Sequence, residues 1–424
     1  MKIFKNLLKY LIFITICIIN NCCYFVKCHH SSSGIYYDNG IDRTILHRYL
    51  DKYEMNRVEN DIMNLIGLPS KRNPGHLMSL RNSAPQFLLN VYDKLMNKEN
   101  SVYFRRSKRE VFPDNTNLIT DIDEKAFRKS DIIMAFLHKD HHIAEVRHEH
   151  GRKLWFDVSE VSRDAILMMA ELRIFQNSKL GNLNGLKKHI IITVYSIVKA
   201  DGQKELEIVS SVNTTTEYHG WLEMNVTDVL DKWLKNPKEN NGLYISAHED
   251  GRPRHEIKLS DIGYVNVHGD EEYQTFLVGY FKGPEINKIP RSLHRIKRDS
   301  FSYKPKNPFS NIGRQQDLHT ERECKLHFLH VSFDELPSAD NIIAPEGYEA
   351  YYCKGECVFP LNAHMNATSH AIVQALVHLM VGGVPKPLCA PLKLGAIQIL
   401  YFVDDSNVVL KKVNNMVVKR CGCQ

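Results

Sequence analysis

The sequence predicts a mostly β protein in two parts, an α+β upstream region followed by a small C-terminal β unit held by disulfides. The chain has 424 residues, 43% of them hydrophobic, which exceeds one ordinary domain. Six of its ten cysteines fall between Cys324 and Cys423, and the other four within the first 28 residues. Apolar residues at helical spacing give way to shorter β-branched segments from Asp131 onward.

The N-terminus has the pattern of a secretory signal peptide. Lys2, Lys5 and Lys9 accompany an apolar run from Leu11 to Ile19 that is too short to span a bilayer. We therefore interpret residues 1–28 as a signal peptide rather than as a membrane anchor. No later run is longer, so we expect a secreted, extracellular chain without a membrane span, in a compartment that favours disulfides.

The net charge of +6 belongs mostly to the upstream region. From residue 299 onward, 12 Lys plus Arg balance 12 Asp plus Glu, which argues against a nucleic-acid partner. Lys304, Lys306 and Arg314 could contact glycosaminoglycans, although a solvated, flexible segment explains them better.

A basic tetrapeptide predicts a proprotein convertase site. Arg295, Lys297 and Arg298 precede Asp299 in a segment rich in Pro, Ser and Asn. This divides the chain into a prodomain (29–298) and a mature domain (299–424), of which 299–323 is expected to be a flexible tail. The cluster Arg106, Lys108 and Arg109 repeats the pattern and is either a second cleavage site or a solvated charge run.

Upstream, two amphipathic helices are expected before a β-rich domain. The first stripe includes Met55, Val58 and Ile62 and stops at 67–69, and the second runs from Phe87 to Leu95. Strands are expected at 190–195 and 275–281, with one short helix over 221–234.

The C-terminal unit is predicted to be built from strands and one helix. Strand-like runs occupy 326–333, 347–353, 394–402 and 408–418, and the last two are joined by turn-forming residues at 404–407. A helix is expected over 368–380, with apolar residues on one face.

Six cysteines allow 15 pairings, and spacing alone does not choose among them. Pairing Cys353 with Cys421 and Cys357 with Cys423 would close a small ring through which Cys324 and Cys389 could form a bridge. Such threading would need the small residue Gly355 in the ring wall. A zinc site is the rival interpretation, although the oxidising compartment disfavours it.

Several segments together resemble the bone morphogenetic proteins of the transforming growth factor beta superfamily, best the osteogenic protein and glass bottom boat class. The mature-domain segments are Ile342 to Tyr348, Tyr351 to Cys353, Gly355 to Cys357, Phe359 to Leu361, Met365 to Thr368, His370 to Gln374, Val384 to Pro387 and Cys421 to Cys423. Upstream, Asp131 to Met134, Arg147 to Arg152 and Leu154 to Val158 resemble that class's prodomain.

The resemblance implies a cystine-knot growth factor with the threaded pairing, two β-hairpin fingers and a wrist helix that packs on a second subunit. Its two upstream helices would hold the ligand, and its partners would be type I and type II receptor serine/threonine kinases and extracellular antagonists. The implied type II surface comprises Ala344, Pro345, Gln398, Ile399 and Leu400. The type I surface would include Phe359, Pro360 and Leu361, and the dimer interface would include Ile372, Leu376 and Leu379.

Two departures from the family pattern modify this expectation. Leu388 occupies the position of the cysteine that links subunits, so we expect a non-covalent homodimer or a heterodimer with a related ligand. Ser338 and Asn341 replace two tryptophans, which predicts weak type I binding. The chain is interpreted as an activating ligand, with a cystine-knot antagonist or decoy as the alternative.

No enzyme or cofactor is expected, because the chain contains neither His-Glu-x-x-His nor Gly-x-Ser-x-Gly. Histidines at 138, 141, 142, 148 and 150 fit an exposed loop better than a metal site. Sequons at Asn213, Asn225 and Asn366 are candidate glycosylation sites.

Overall fold

The computed structural model divides the chain into two compact units, residues 1–70 and 71–424. It describes residues 34–38, 44–68, 79–99, 121–140, 152–182, 187–200, 203–252, 255–265, 269–283, 323–333, 339–361, 363–381 and 383–424. Within these ranges the helices are α1 (Lys52–Ile66), α2 (Ser83–Glu99), α3 (Asp121–Lys129), α4 (Thr227–Lys235) and α5 (Ser369–Met380). None of these described helices is both long and apolar enough to cross a membrane.

The strands of the region before residue 300 are β1 (Gly34–Asp38), β2 (Thr44–Tyr49), β3 (Ile132–Leu137), β4 (Lys153–Leu154), β5 (Ile166–Asn177), β6 (His189–Ala200), β7 (Gln203–Thr215), β8 (His219–Asn225), β9 (Leu243–Glu249), β10 (Glu256–Ile257) and β11 (Phe276–Lys282). The strands of the C-terminal unit are β12 (Lys325–His327), β13 (His330–Ser332), β14 (Ile342–Ala344), β15 (Gly347–Glu349), β16 (Tyr352–Lys354), β17 (Cys389–Phe402) and β18 (Asn407–Cys423). The predicted mostly β fold is confirmed.

The first unit contains the β1–β2 hairpin and helix α1. Asp51 accepts a hydrogen bond from the Glu54 amide at 2.8 Å, and Glu54 accepts one from the Asp51 amide at 3.3 Å, so the helix begins with a capping box. Hydrogen bonds from Arg48 lower the pKa of Glu54 to about 2. The helix ends before Gly67, which has a positive φ, as the sequence predicts.

A seven-stranded antiparallel sheet joins the upstream region to the C-terminal unit in the order β14-β17-β18-β3-β11-β5-β8. The junction is the pair β18–β3, in register from Asn407 opposite Phe136 to Lys411 opposite Ile132. The predicted hairpin is confirmed as β17 and β18. Because main-chain hydrogen bonds continue across the junction, the fold does not separate these regions.

Helices α2 and α3 contribute to one core on a face of this sheet. Phe87 of α2 lies 5.4 Å from the Phe276 ring and 6.3 Å from the Phe127 ring of α3. The buried members of this core are Ala84, Phe87, Leu88, Val91, Phe127, Ile133, Ala135, Leu137, Phe175, Trp221, Val265, Phe276, Val278, Tyr280, Ala344, Leu400, Phe402, Val408 and Leu410. The predicted second helical stripe is therefore the buried face of α2.

A second sheet has the order β10-β9-β6-β7, with β4 also paired to β9. On the seven-stranded sheet, the fully buried Arg173 side chain on β5 forms ion pairs with Glu171 at 2.8 Å and Glu223 at 3.1 Å. Its guanidinium also lies 4.6 Å from the centroid of the Phe87 ring. Pairing with two carboxylates offsets much of the free-energy cost of burying this charge.

Two local predictions are wrong. Trp221 lies on β8 opposite Phe175, and the helix begins only at Thr227, whose amide and hydroxyl donate to Asn225 Oδ1. The predicted strands 326–333 and 347–353 are also not continuous. They divide into the pairs β12–β16 and β13–β15, because the ladder is interrupted at Tyr351, which has a φ of 54° and whose amide donates, with that of Ala350, to the Leu329 carbonyl.

Candidate functional site

Three disulfides hold the C-terminal unit. They join Cys324 to Cys389, Cys353 to Cys421 and Cys357 to Cys423, and are the same pairs that the resemblance implies. The sequence separations of 65 to 68 residues give about 4 kcal/mol each in the chain-entropy model. The Sγ atoms of Cys324, Cys357 and Cys423 lie within 4.8 Å of one another, but each is in a disulfide and is not a thiolate ligand.

Gly355 makes the threaded arrangement sterically possible. Its φ is +123°, and a Cβ built on it would overlap the carbonyl of Glu323 and lie 2.8 Å from the Cys324 amide. Glu323 forms a parallel bridge with Glu356, so the chain leading to Cys324 passes directly against the ring. Only a residue without a side chain fits there.

Helix α5 presents its larger apolar residues outward. Thr368 caps it by accepting a hydrogen bond from the Ala371 amide at 3.1 Å. The small residues Ala371 and Ala375 are buried, whereas larger side chains on the other faces are exposed. These exposed residues are Ile372, Val373, Leu376, Leu379 and Met380.

Leu388 is held by the backbone while its side chain stays 70% exposed. Its amide donates to the Gln424 carbonyl at 2.8 Å, and the Gln424 amide donates back at 2.9 Å. The preceding loop is tied to α5, because Gln374 donates to the Pro385 carbonyl at 2.8 Å. We call Ile372, Val373, Leu376, Leu379 and Leu388 together the wrist face.

A second apolar surface of the C-terminal unit is covered by the upstream region. Ala344, Leu400, Phe402, Val408 and Leu410 share one buried core with α2, and we call these five residues the knuckle face. Ala344 and Leu400 belong to the implied type II surface. Ile399 is also fully buried, whereas Gln398 and Pro345 are partly buried. Burial lowers the pKa of Lys411, which lies between Ile399 and Ile132 of β3.

The residues of the implied type I surface differ in how far they are exposed. Phe359 and Pro360 are exposed, and Leu361 packs partly against the disulfide core. Asn341 is only 3% exposed, so its side chain is not displayed on the surface of this precursor. Ser338 lies outside the described residues.

The three sequon asparagines are all exposed. Asn213 lies on β7, and Asn225 precedes α4. Asn366 has a φ of 43°, and its Nδ2 donates to the Cys421 carbonyl at 3.1 Å. The two basic clusters, Arg106 to Arg109 and Arg295 to Asp299, and the histidines at 141, 142, 148 and 150 lie outside the described residues, whereas His138 accepts from the Trp155 amide at 3.1 Å.

Two features of the site were not predicted from the sequence. Helix α3 was not expected, although Ala126 and Phe127 pack in the core with α2. The pairing of β3 with β18 was also not expected. The signal for β3 was its unbroken apolar run, Ile132 to Leu137, which is typical of a strand buried on both faces.

A disulfide-threaded β unit with two fingers, joined through a sheet to an upstream domain, defines the class of cystine-knot growth factor precursors. A family model described as "TGF-beta propeptide" matches residues 39–280, and one described as "Transforming growth factor beta like domain" matches residues 323–423. The chain is 48% identical to Protein 60A of Drosophila melanogaster over 420 residues, covering 93% of this chain and 92% of that relative.

Two further relatives agree. Protein 60A of Drosophila virilis is 46% identical, with 93% of this chain and 94% of the relative covered. Human Bone morphogenetic protein 8A is 31% identical over 393 residues, with 89% and 92% covered. The chain therefore belongs to the transforming growth factor beta superfamily, as a bone morphogenetic protein precursor of the 60A or glass bottom boat class. It is a growth factor ligand and not an enzyme.

Proposed function

We propose that the chain is secreted, cut by a proprotein convertase after Arg298, and released as a dimeric ligand of residues 299–424. The ligand binds type I and type II receptor serine/threonine kinases and activates bone morphogenetic protein signalling. The observation that carries this proposal is the covered knuckle face, which buries two residues of the implied type II surface under α2. While α2 covers these two residues, a type II receptor could not reach them.

The composition of the knuckle face supports this role. Ala344, Leu400, Phe402, Val408 and Leu410 are apolar, and exposing them together would create a hydrophobic patch of the kind that marks protein interaction sites. Because α2 is joined to the ligand only by chain that contains the cleavage site, cutting makes the cover removable. After the cut, the propeptide and the ligand stay together only through a reversible binding equilibrium.

The wrist face supports a non-covalent dimer. Leu388 occupies the family's linking position, and all six cysteines of the ligand are paired within one chain. Association then rests on burial of the wrist face, at roughly 25 cal/mol per Å² of apolar area before the entropy of association is subtracted. A second copy or a related ligand can supply the matching surface.

The test is a receptor-kinase assay on cells treated with secreted protein. Arg298→Ala should leave the precursor uncut and abolish phosphorylation of receptor substrates. Arg109→Ala is the matched control, because it changes the same pattern at Arg106 to Arg109 and should leave activity unchanged. Full activity of Arg298→Ala, or release of the same fragment from it, would contradict the proposal.

A second candidate function is an antagonist or decoy that binds type II receptors without signalling. It is favoured by Asn341, which replaces an aromatic residue and is buried. A decoy would bind the type II ectodomain tightly, bind the type I ectodomain weakly, and reduce the phosphorylation caused by another ligand. An agonist would raise phosphorylation in the same cells when added alone.

A further inference from the structure

The turn between β17 and β18, which form the second finger of the ligand, is rigid and acidic. Asp404 Oδ1 accepts hydrogen bonds from the amides of Ser406 and Asn407, both at 2.7 Å, and from the Ser406 hydroxyl at 3.0 Å. Asp404 Oδ2 accepts from Asn407 Nδ2 at 2.8 Å. These bonds fix the turn, while the neighbouring Asp405 side chain remains 65% exposed. The ligand therefore carries two carboxylates on a fixed support, which we call the fingertip turn (Asp404 to Asn407).

The propeptide meets this turn through its backbone. The Leu137 amide at the end of β3 donates to the Ser406 carbonyl at 2.8 Å. Asn407, which is fully buried, donates through Nδ2 to the Asp157 carbonyl at 3.2 Å. These neutral hydrogen bonds set the position of the turn against two propeptide segments, and they carry no net charge.

Lys139 is positioned beside the same turn. Its amide donates to the Trp155 carbonyl at 3.0 Å, and the preceding residue bridges to Phe156, so Lys139 lies next to Asp157. Asp157 is itself held by the Ser159 amide at 3.1 Å and the Ser159 hydroxyl at 2.7 Å. The propeptide thus presents one cation and one carboxylate, both with restricted freedom, to the ligand.

The Lys139 ammonium lies among three carboxylates. Its Nζ is 3.0 Å from Asp405, 3.4 Å from Asp157 and 4.0 Å from Asp404. Without this cation, the Asp157 carboxylate would face two ligand carboxylates of the same sign, which is unfavourable. A single propeptide side chain therefore determines whether the charges at this contact attract or repel.

The surroundings favour the charged forms of both Lys139 and Asp157. Burial acts to lower the pKa of Lys139, but its hydrogen bond to Asp405 and the nearby carboxylates outweigh burial and raise that pKa. Burial acts to raise the pKa of Asp157, but hydrogen bonds from Ser159 and the charge of Lys139 lower it. The contact is therefore an ion cluster at neutral pH, and its strength depends on salt concentration.

We propose that the fingertip turn is a cation-recognition surface of the ligand, that Lys139 occupies it in the precursor, and that this ionic contact retains the cleaved ligand on its propeptide. The inference rests on the proposed cleavage after Arg298. The β3–β18 backbone pairing supplies a hold that salt affects little, and Lys139 adds the part that salt weakens.

The test measures retention of the ligand by an affinity-tagged propeptide after cleavage, over increasing sodium chloride. A reducing gel first verifies the cut, so that failed cleavage, which contradicts the proposed function, is seen separately from failed retention. Lys139→Met should weaken retention about three- to tenfold at low salt and flatten the salt dependence. Lys188→Met is the matched control, because Lys188 pairs with Glu249 at 3.4 Å inside the propeptide.

A charge exchange makes the test specific. Lys139→Asp should retain the ligand less well than Lys139→Met, because it adds a fourth carboxylate. Combining Lys139→Asp with Asp405→Lys restores one cation among three carboxylates and should recover much of the retention. If Lys139→Met is not secreted, Asp405→Asn applies the same test at an exposed position. Unchanged retention and salt profile in the secreted variants, or no recovery in the exchange, would overturn the proposal.

Discussion

The knuckle face and the wrist face are both apolar surfaces of one ligand, yet only the knuckle face is buried in the precursor. The knuckle face is buried in a core that includes Phe87 and Leu88 of α2. On the wrist face, Leu379 remains 58% exposed and Leu388 remains 70% exposed. The same chain covers the knuckle face, whereas in the proposed dimer a second molecule would cover the wrist face.

This difference has a thermodynamic consequence. A cover within the same chain acts at a high effective concentration that dilution does not change, until the connecting chain is cut. A surface that is buried only in a dimer is covered to an extent that rises with protein concentration. Cleavage should therefore change how far the knuckle face is exposed, whereas protein concentration should change how far the wrist face is exposed.

The largest expected effect comes from unfolding the disulfide unit, which would abolish the knuckle face and the wrist face together. Gly355→Ala should prevent formation of the disulfide-threaded unit, because the new Cβ overlaps the Glu323 carbonyl and the φ is unfavourable for alanine. We expect a loss of more than about 4 kcal/mol in the free energy of unfolding, the range of severe steric strain in a core. Secretion of the mature fragment, compared on reduced and unreduced gels, measures this.

Gly383→Ala is the matched control for that substitution. Its φ of +78° is also positive, but a Cβ there meets no atom within 4 Å. We expect about 1 kcal/mol of destabilisation from the backbone alone. Equal losses for the two variants would mean that threading does not limit the residue at 355.

The second expected effect opens the knuckle face alone. Phe87→Ala deletes a fully buried ring that contacts Phe276 and the Arg173 guanidinium, and should cost about 3 kcal/mol or more in the stability of the α2 cover. The uncut precursor should then bind an isolated type II receptor ectodomain more tightly than the native precursor does. Surface plasmon resonance on purified precursor measures this change.

Lys94→Ala tests whether that effect is specific to the buried face of α2. Lys94 is exposed on the same helix, and alanine preserves helical propensity, so receptor binding should not change. Dimerisation through the wrist face should also be the same in Phe87→Ala and the native chain. A precursor that loses stability in Phe87→Ala without gaining receptor affinity would separate the α2 cover from the type II surface.

The third expected effect concerns the wrist face. An unreduced denaturing gel of the mature ligand should show a monomer, whereas sedimentation at micromolar concentration should show a dimer. Leu388→Ala should raise the dimer dissociation constant by at least about tenfold, because each protomer loses an apolar side chain worth roughly 1.5–3 kcal/mol when buried. Leu388→Cys should convert the gel band to a dimer if the two positions come within disulfide reach.

Leu326→Ala provides the comparison for this series. Leu326 is an exposed leucine on β12, and its loss should leave the dissociation constant near the native value. A covalent dimer in the native ligand, or equal effects of the two alanine substitutions, would contradict association through Leu388.

The sequence predicted the local features of this molecule better than its long-range pairing. Helices α1 and α5 follow from apolar spacing and from end signals at Gly67 and Thr368, which act within a few residues. The β3–β18 pair joins residues more than 270 positions apart, for example Phe136 and Asn407, and no local pattern encodes it. Trp221 was misassigned because its spacing from Val229 also fits a helix.

In the candidate site too, local features were predicted from the sequence and longer-range features were not. Gly355 was predicted because a small residue beside two cysteines has a direct steric meaning. The outward direction of the α5 apolar stripe was implied only by the family resemblance, since an apolar stripe alone does not reveal whether it faces the same chain or another molecule. The buried alanines, Ala371 and Ala375, were the available signal, because small residues permit close packing on the disulfide unit.

The smallest expected effect concerns the first turn of helix α5. Thr368 both caps α5 and completes the sequon of Asn366, so Thr368→Ala removes two features at once. Loss of the cap should cost about 1 kcal/mol in the free energy of unfolding and weaken dimerisation slightly, because the wrist face begins at Ile372. Thermal unfolding and gel mobility of the mature ligand measure the cap and the glycan respectively.

Two comparisons separate the cap from the glycan. Thr368→Ser keeps a hydroxyl for the Ala371 amide and keeps the sequon, so both stability and mobility should remain near native. Enzymatic removal of glycans from the native ligand should change mobility but leave the cap, and therefore most of the 1 kcal/mol, in place. If deglycosylation alone reproduces the stability loss of Thr368→Ala, the glycan and not the hydrogen bond stabilises this helix. If mobility is the same in every variant, Asn366 carries no glycan, and Thr368 serves the wrist face only through its cap.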